Sequence, residues 1–99
     1  MVEDFTQHIA VLNVAIHIPQ AQSLKDKRMV LRSLKERIKS RFNVSVAELS
    51  GQDKWQIATL GVVMIANDNR LLDSAMQTIF SYIENHPEYY VCEHKIEFI

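Results

Sequence analysis

Residues 8–18 alternate with a period of two: Ala10, Leu12, Val14, Ile16 and Ile18 fall on one side, Ile9, Val11, Asn13, Ala15 and His17 on the other. That is the signature of a β-strand, and apolar residues on both sides place it centrally in a sheet. Pro19 ends it. The period then changes. Leu24, Leu31, Leu34, Ile38 and Phe42 recur at helical spacing, and Ser23 followed three residues later by Asp26 predicts an N-cap with an acidic group near the positive helix end. Asn43–Ser50 reads as a second strand with Val44 and Val46 facing inward, and Gly51, Gln52 and Asp53 as a turn. Trp55–Ala66 is the third strand. Ala58, Leu60, Val62 and Met64 line one face of it, and Trp55, Ile57, Thr59, Gly61, Val63 and Ile65 the other. Gly61 inside that strand predicts a bulge or a close approach. Asn67, Asp68 and Asn69 supply a turn and a cap for a second helix that buries Leu72, Ala75, Met76, Ile79, Phe80 and Ile83 and stops before Pro87. Tyr89–Ile99 is the last strand, with Cys92, Ile96 and Phe98 on one face and Glu93, Lys95 and Glu97 on the other.

The order β-α-β-β-α-β predicts an α+β fold of the ferredoxin-like kind, a four-stranded antiparallel sheet with two helices on one face. In that topology the first and third strands form the central pair, in agreement with their two apolar faces. The length of 99 residues predicts a single domain over 1–99, with about residues 1–7 a short N-terminal extension.

Charge changes this picture. Eight of the eleven Lys and Arg residues lie between Lys25 and Arg41, opposed there only by Asp26 and Glu36, so the first helix carries a formal +6. The remainder, with three basic and ten acidic residues, carries −7. Within the helix, Lys25, Arg28, Arg32, Lys35 and Lys39 follow one another at intervals of three and four, which places them on one flank. Lys27 projects nearer the apolar stripe, where its stem can pack while the ammonium reaches the sheet edge or a bound anion.

Other chemistry is sparse. There is no Gly-rich phosphate loop, no HExxH and no Cys-x-x-Cys. His8, His17, His86 and His94 lack ligand spacing, so neither a metal nor a cofactor is expected. Pro19-Gln20-Ala21-Gln22 is not the Gly-rich anion loop of an acylphosphatase, and no catalytic residues are assigned: a non-enzymatic domain is the expectation. Cys92 as the single cysteine excludes an internal disulfide and reads as a small apolar strand residue. The start Met1-Val2-Glu3-Asp4 is acidic where a signal peptide would be basic, and the apolar runs fall short of the roughly 20 residues a membrane helix needs. A cytoplasmic protein with no membrane association is expected.

Two readings of the basic helix stand side by side. As a solvated face, its lysines hold solubility and their stems cover apolar surface. As a binding surface, Lys25, Lys27, Arg28, Arg32, Lys35 and Lys39 contact a phosphate backbone, with structured RNA or a ribosomal subunit as the partner and counterion release as the driving term. An acidic protein patch can use the same surface. The sheet face away from the helices offers aliphatic side chains where RNA-recognition domains carry aromatic ones, which disfavours base stacking. Ile9, Val11, Ala15, Trp55, Ile57 and Val63 there suit self-association into a homodimer, or contact with another protein.

The block Ser23-Leu24-Lys25-Asp26-Lys27-Arg28, the block Arg41-Phe42-Asn43-Val44-Ser45-Val46-Ala47-Glu48, and Trp55 and Gly61 beyond them resemble the YlxP-like family of small bacterial domains of unknown function. The resemblance runs from about His8 to the C-terminus. It implies a ferredoxin-like fold and a bacterial cytoplasmic protein. Because members are often encoded beside translation and ribosome-maturation factors, it also implies an RNA- or ribosome-associated role, by neighbourhood and not by mechanism. It supplies no catalytic residues. The two blocks are not expected to form one site, since the helix start and the second strand are taken to lie at opposite ends of the first βα unit.

Overall fold

The computed structural model describes residues 4–50 and 54–99. The turn assigned to Gly51-Gln52-Asp53 and the first three residues of the N-terminal extension lie outside the described residues. Six elements follow in the order β1 (His8–His17), α1 (Leu24–Arg41), β2 (Ser45–Ser50), β3 (Ile57–Ala66), α2 (Asn69–Glu84) and β4 (Tyr90–Phe98). The strands form one antiparallel sheet in the order β2-β3-β1-β4. This is the ferredoxin-like arrangement, with β1 and β3 central and β2 and β4 at the edges.

The pairing of β1 with β3 runs without a shift from His8 opposite Ala66 to His17 opposite Ile57. Ala10, Leu12, Val14 and Ile16 of β1, and Ala58, Leu60 and Val62 of β3, are essentially inaccessible. They meet Leu31, Leu34 and Ile38 of α1 and Leu72, Met76, Ile79 and Ile83 of α2 in one core. Alternation in the strands and helical spacing in the helices point at the same layer, which is why both periodicities are readable in the chain.

Local signals set the helix ends. Ser23, in an extended conformation, accepts a hydrogen bond from the Asp26 amide at 3.1 Å, and the Asp26 carboxylate accepts from the Gln22 amide at 2.9 Å. Ser23 thereby satisfies one donor that the helix leaves open, and Asp26 ties down Gln22, the residue before the cap. Asp68 caps α2 in the same way by accepting from the Arg70 amide at 2.8 Å.

Two expectations for the strands are corrected. β2 begins at Ser45 and β3 at Ile57, so Asn43, Val44, Trp55 and Gln56 belong to the flanking connections. In β4 the register against β1 shifts between Ala15 and Ile16, where Glu93 and Val91 are the successive partners. Cys92 is the extra residue of this bulge and is exposed; Val91 takes the inward position assigned to it. A bulge reverses the face parity of every residue behind it, which strict alternation does not reveal.

Gly61 meets a close approach. A Cβ built there would stand 3.0 Å from Leu49 Cδ1. Leu49 sits where the register of β2 against β3 shifts between Glu48 and Ser50. The bulge that Gly61 suggests therefore lies on the neighbouring strand, and the missing side chain makes room for it.

Candidate nucleic-acid interface

α1 lies over β2, and α2 lies mainly over β1 and β3. This offset gives α1 two unlike flanks. The flank towards α2 carries Arg41, whose guanidinium stands 4.8 Å from the centre of the Tyr82 ring, and Arg37, close enough to His86 and Tyr89 to act on both. Asp26 and Val30 border a groove shared with Pro87 and Glu88 on the same side. At about 100° per residue, Lys25, Arg28, Arg32, Lys35 and Lys39 fall on the opposite flank, the one beside the β2 edge of the sheet. Lys25, Arg28, Arg32 and Lys39 are exposed and Lys35 is half-buried. None of the five forms an ion pair among the described residues, whose three such contacts are Lys27–Glu48, His86–Glu88 and Lys95–Glu97.

Lys27 does not belong to this surface. Its side chain is 1% exposed, so it cannot reach an external phosphate, and its place in the candidate nucleic-acid-binding set is corrected. The ammonium donates to the Ile57 carbonyl at 3.2 Å and lies 3.1 Å from Glu48 Oε2. The carboxylate approach is off the hydrogen-bonding direction, so the attraction is mainly Coulombic. The ammonium thus joins the first turn of α1 to the end of β2 and the start of β3. Gln56 works beside it, donating through Nε2 to the Pro19 and Ala21 carbonyls at 3.2 and 3.1 Å, while the Ile18 amide donates to the Gln56 carbonyl at 2.7 Å.

The expectation that the two sequence blocks stay apart is therefore overturned. β2 runs back towards the helix start, and its fourth residue, Glu48, meets Lys27. The spacing held the signal: Lys27, Leu31, Leu34 and Ile38 are separated by four, three and four, which puts Lys27 in the buried stripe itself.

On the face of the sheet away from the helices, the self-association candidates Ile9, Val11 and Ala15 are half-buried and Ile57 and Val63 are exposed, at 43% and 37%, while Trp55, 54% exposed, stands in the connection before β3. Ile65, 58% exposed, extends this apolar surface along β3. His17 closes one end of it against the Tyr90 ring, 5.0 Å away between centres. Glu93, Lys95 and Glu97 pair with Ala15, Asn13 and Val11 and form its polar margin on β4.

Titratable groups with altered affinity for protons lie elsewhere. Burial pushes the Tyr89 hydroxyl up to about 12, and it donates to the Ile83 carbonyl. Burial, assisted by the Arg37 charge, lowers His86, against a smaller opposing effect of Glu88. Among the described residues no three His, Cys, Asp or Glu side chains converge as a metal site would require. No helix of the described residues is long and apolar enough to cross a membrane.

Residues 9–96 match the family model "Protein of unknown function (DUF503)". The uncharacterized protein YlxP of Bacillus subtilis (strain 168) is 34% identical over 71 residues, which cover 72% of this chain and 77% of that protein. A crystal structure of a Bacillus cereus protein, provisionally assigned as an antibiotic biosynthesis monooxygenase, is similar at a TM-score of 0.47 and 11% identity, over 95% of this chain and 91% of the other. A likeness of that size says nothing about what this chain does. The match across nearly the whole fold, together with the identity to YlxP, shows that the chain belongs to the YlxP-like DUF503 family of small domains of unknown function.

Proposed function

We propose that this domain binds the phosphate backbone of structured RNA, in a ribosomal subunit or in the machinery that matures it, through Lys25, Arg28, Arg32, Lys35 and Lys39. One observation carries the reading: these five side chains share the flank of α1 turned away from α2, and no carboxylate of the described residues pairs with any of them. Unpaired cations in a row repel one another, so the array costs stability when the domain is alone. A polyanion removes that cost and releases its own condensed counterions, which supplies affinity without base recognition. The aliphatic sheet face offers no platform for stacking bases, so backbone contacts are the mode that fits. The partner follows from this chemistry, and the ribosomal setting from the neighbourhood that the family resemblance implies.

The test is retention on purified ribosomal subunits and on total cellular RNA, with a variant carrying Arg28→Glu, Arg32→Glu and Lys35→Glu beside the wild type. The reading expects the wild type to bind and the variant to lose binding. Equal behaviour of the two would make the flank a solvated surface.

A second reading rests on the sheet. Ile57, Val63 and Ile65 expose aliphatic surface in the middle of a four-stranded sheet, and Trp55 adds an exposed indole at one end. A second copy meeting this face would bury it, giving a homodimer with the basic flanks outside the contact.

A further inference from the structure

We propose that the free edge of β2 docks an extended segment of a partner protein, one that alternates acidic and apolar residues and joins the sheet as a fifth strand. The inference goes beyond the phosphate reading because it rests on the backbone of β2 and not on the cations alone.

The two edges of the sheet are treated differently. Both edge strands carry a register shift, but β4 also presents the charged row Glu93, Lys95 and Glu97. β2 reads Ser-Val-Ala-Glu-Leu-Ser, with neither a lysine nor a proline. Its one charge, Glu48, points inward, a device that by itself discourages added strands. Here the charge is answered within the chain by Lys27 at 3.1 Å, so it is not left to repel a newcomer. The shift at Leu49 leaves Ser45–Glu48 as the regular part of the edge.

Two unlike walls flank that edge. On the helix side stands the cationic flank of α1. On the open side β2 presents Ser45, Ala47 and Leu49, which with Val11, Asn13, Gly61 and Val63 border a shallow groove of about 210 Å³ over β3. Successive side chains of an added strand point to opposite faces, so one set meets the cations and the other packs beside Ala47 and Leu49 of β2. Acidic residues complement the first wall and apolar residues the second. The regular edge Ser45–Glu48 spans roughly 13 Å, within the roughly 21 Å that α1 rises from Lys25 to Lys39. Main-chain hydrogen bonds to the edge supply affinity, and the alternating walls supply selectivity. An RNA strand engages the cations alone, whereas the β2 backbone is matched only by an added strand.

The experiment follows amide hydrogen exchange in the full chain while peptides of about eight residues are added, the length of the edge with one residue beyond each end. One alternates Glu and Val, one alternates Lys and Val, and a third has the Glu/Val composition in two blocks. The expected result is exchange slowed about tenfold or more at Ser45–Ser50 by the alternating Glu/Val peptide alone. That protection is lost in the variant with Arg28→Glu, Arg32→Glu and Lys35→Glu, whose β1 and β3 amides exchange as in the wild type. Unchanged exchange at β2 under saturating peptide overturns the proposal, as does equal protection by the Lys/Val peptide. RNA that binds the chain while no peptide slows β2 also overturns it and leaves the phosphate reading standing.

Discussion

Lys27 Nζ lies 3.1 Å from Glu48 Oε2, and the lysine side chain that reaches across from α1 is 1% exposed. A buried ammonium pays a large desolvation penalty, which the carboxylate and the Ile57 carbonyl offset. The contact ties the first helix to the edge strand and takes one of the eight cations of α1 off the surface. What remains outside is a row of five on one flank, with Arg37 and Arg41 on the other.

Removing Lys27 leaves the half-buried Glu48 carboxylate without its counter-charge. Lys27→Met is expected to lower unfolding stability by roughly 3 kcal/mol, the lower end for a buried pair because Glu48 keeps some access to water. Glu48→Gln costs less. In a denaturant-based double-mutant cycle the two substitutions together cost less than their sum, by about 1 kcal/mol or more. Strict additivity would show that the two groups do not stabilise each other.

Gly61 is predicted to tolerate Ala and to resist Val. The atom 3.0 Å from the missing Cβ is the tip of Leu49, a flexible side chain that is 50% exposed and free to turn aside. Gly61→Ala should therefore change stability by no more than about 0.5 kcal/mol. Gly61→Val crowds the same place with a branched side chain and should cost about 1 kcal/mol or more. Placing both in a Leu49→Ala background should remove most of the difference, as read from thermal unfolding.

Tyr89 gives the chain an alkaline limit. Its proton is held up to about 12 in the fold and is lost near 10 in the unfolded chain. Within that window the native state binds more protons than the unfolded one. The associated stability is complete below pH 10 and falls as pH rises towards 12. In urea midpoints taken across this range, Tyr89→Phe should flatten the decline. An equally steep decline in the variant would place its cause in another group.

Self-association has its own test at Val63, 37% exposed on the open face of β3 and clear of the helix layer. Light scattering at micromolar protein is expected to give a dimer for the wild type and a monomer for Val63→Glu. A wild-type monomer would remove the dimer reading.

The fold was legible because two periodicities agreed. Alternation in residues 8–18 and 55–66, and helical spacing around Leu31, Leu34, Ile38, Leu72, Met76, Ile79 and Ile83, mark one shared layer. Legibility failed where backbone register departs from the pattern. The bulge at Cys92 and the shift at Leu49 change face parity without a distinctive side chain to announce them. It failed again at Lys27, where residue type and position disagree: a charge stands at a core spacing, and its partner Glu48 is 21 positions away in the chain. Composition assigns such a lysine to the surface, whereas its spacing from Leu31, Leu34 and Ile38 assigns it to the core.

The most direct measurement is the salt dependence of RNA binding for three proteins: the wild type, the Arg28→Glu, Arg32→Glu, Lys35→Glu variant, and Lys27→Met. Five phosphate contacts at about 0.7 to 0.9 each give the wild type a log–log slope of roughly −3.5 to −4.5. The charge-reversed variant should lose affinity and most of that slope. Lys27→Met, which deletes a cation of the same helix from the interior, should keep the wild-type slope. A slope that falls equally in both variants, or in neither, would contradict the assignment of binding to the exposed flank.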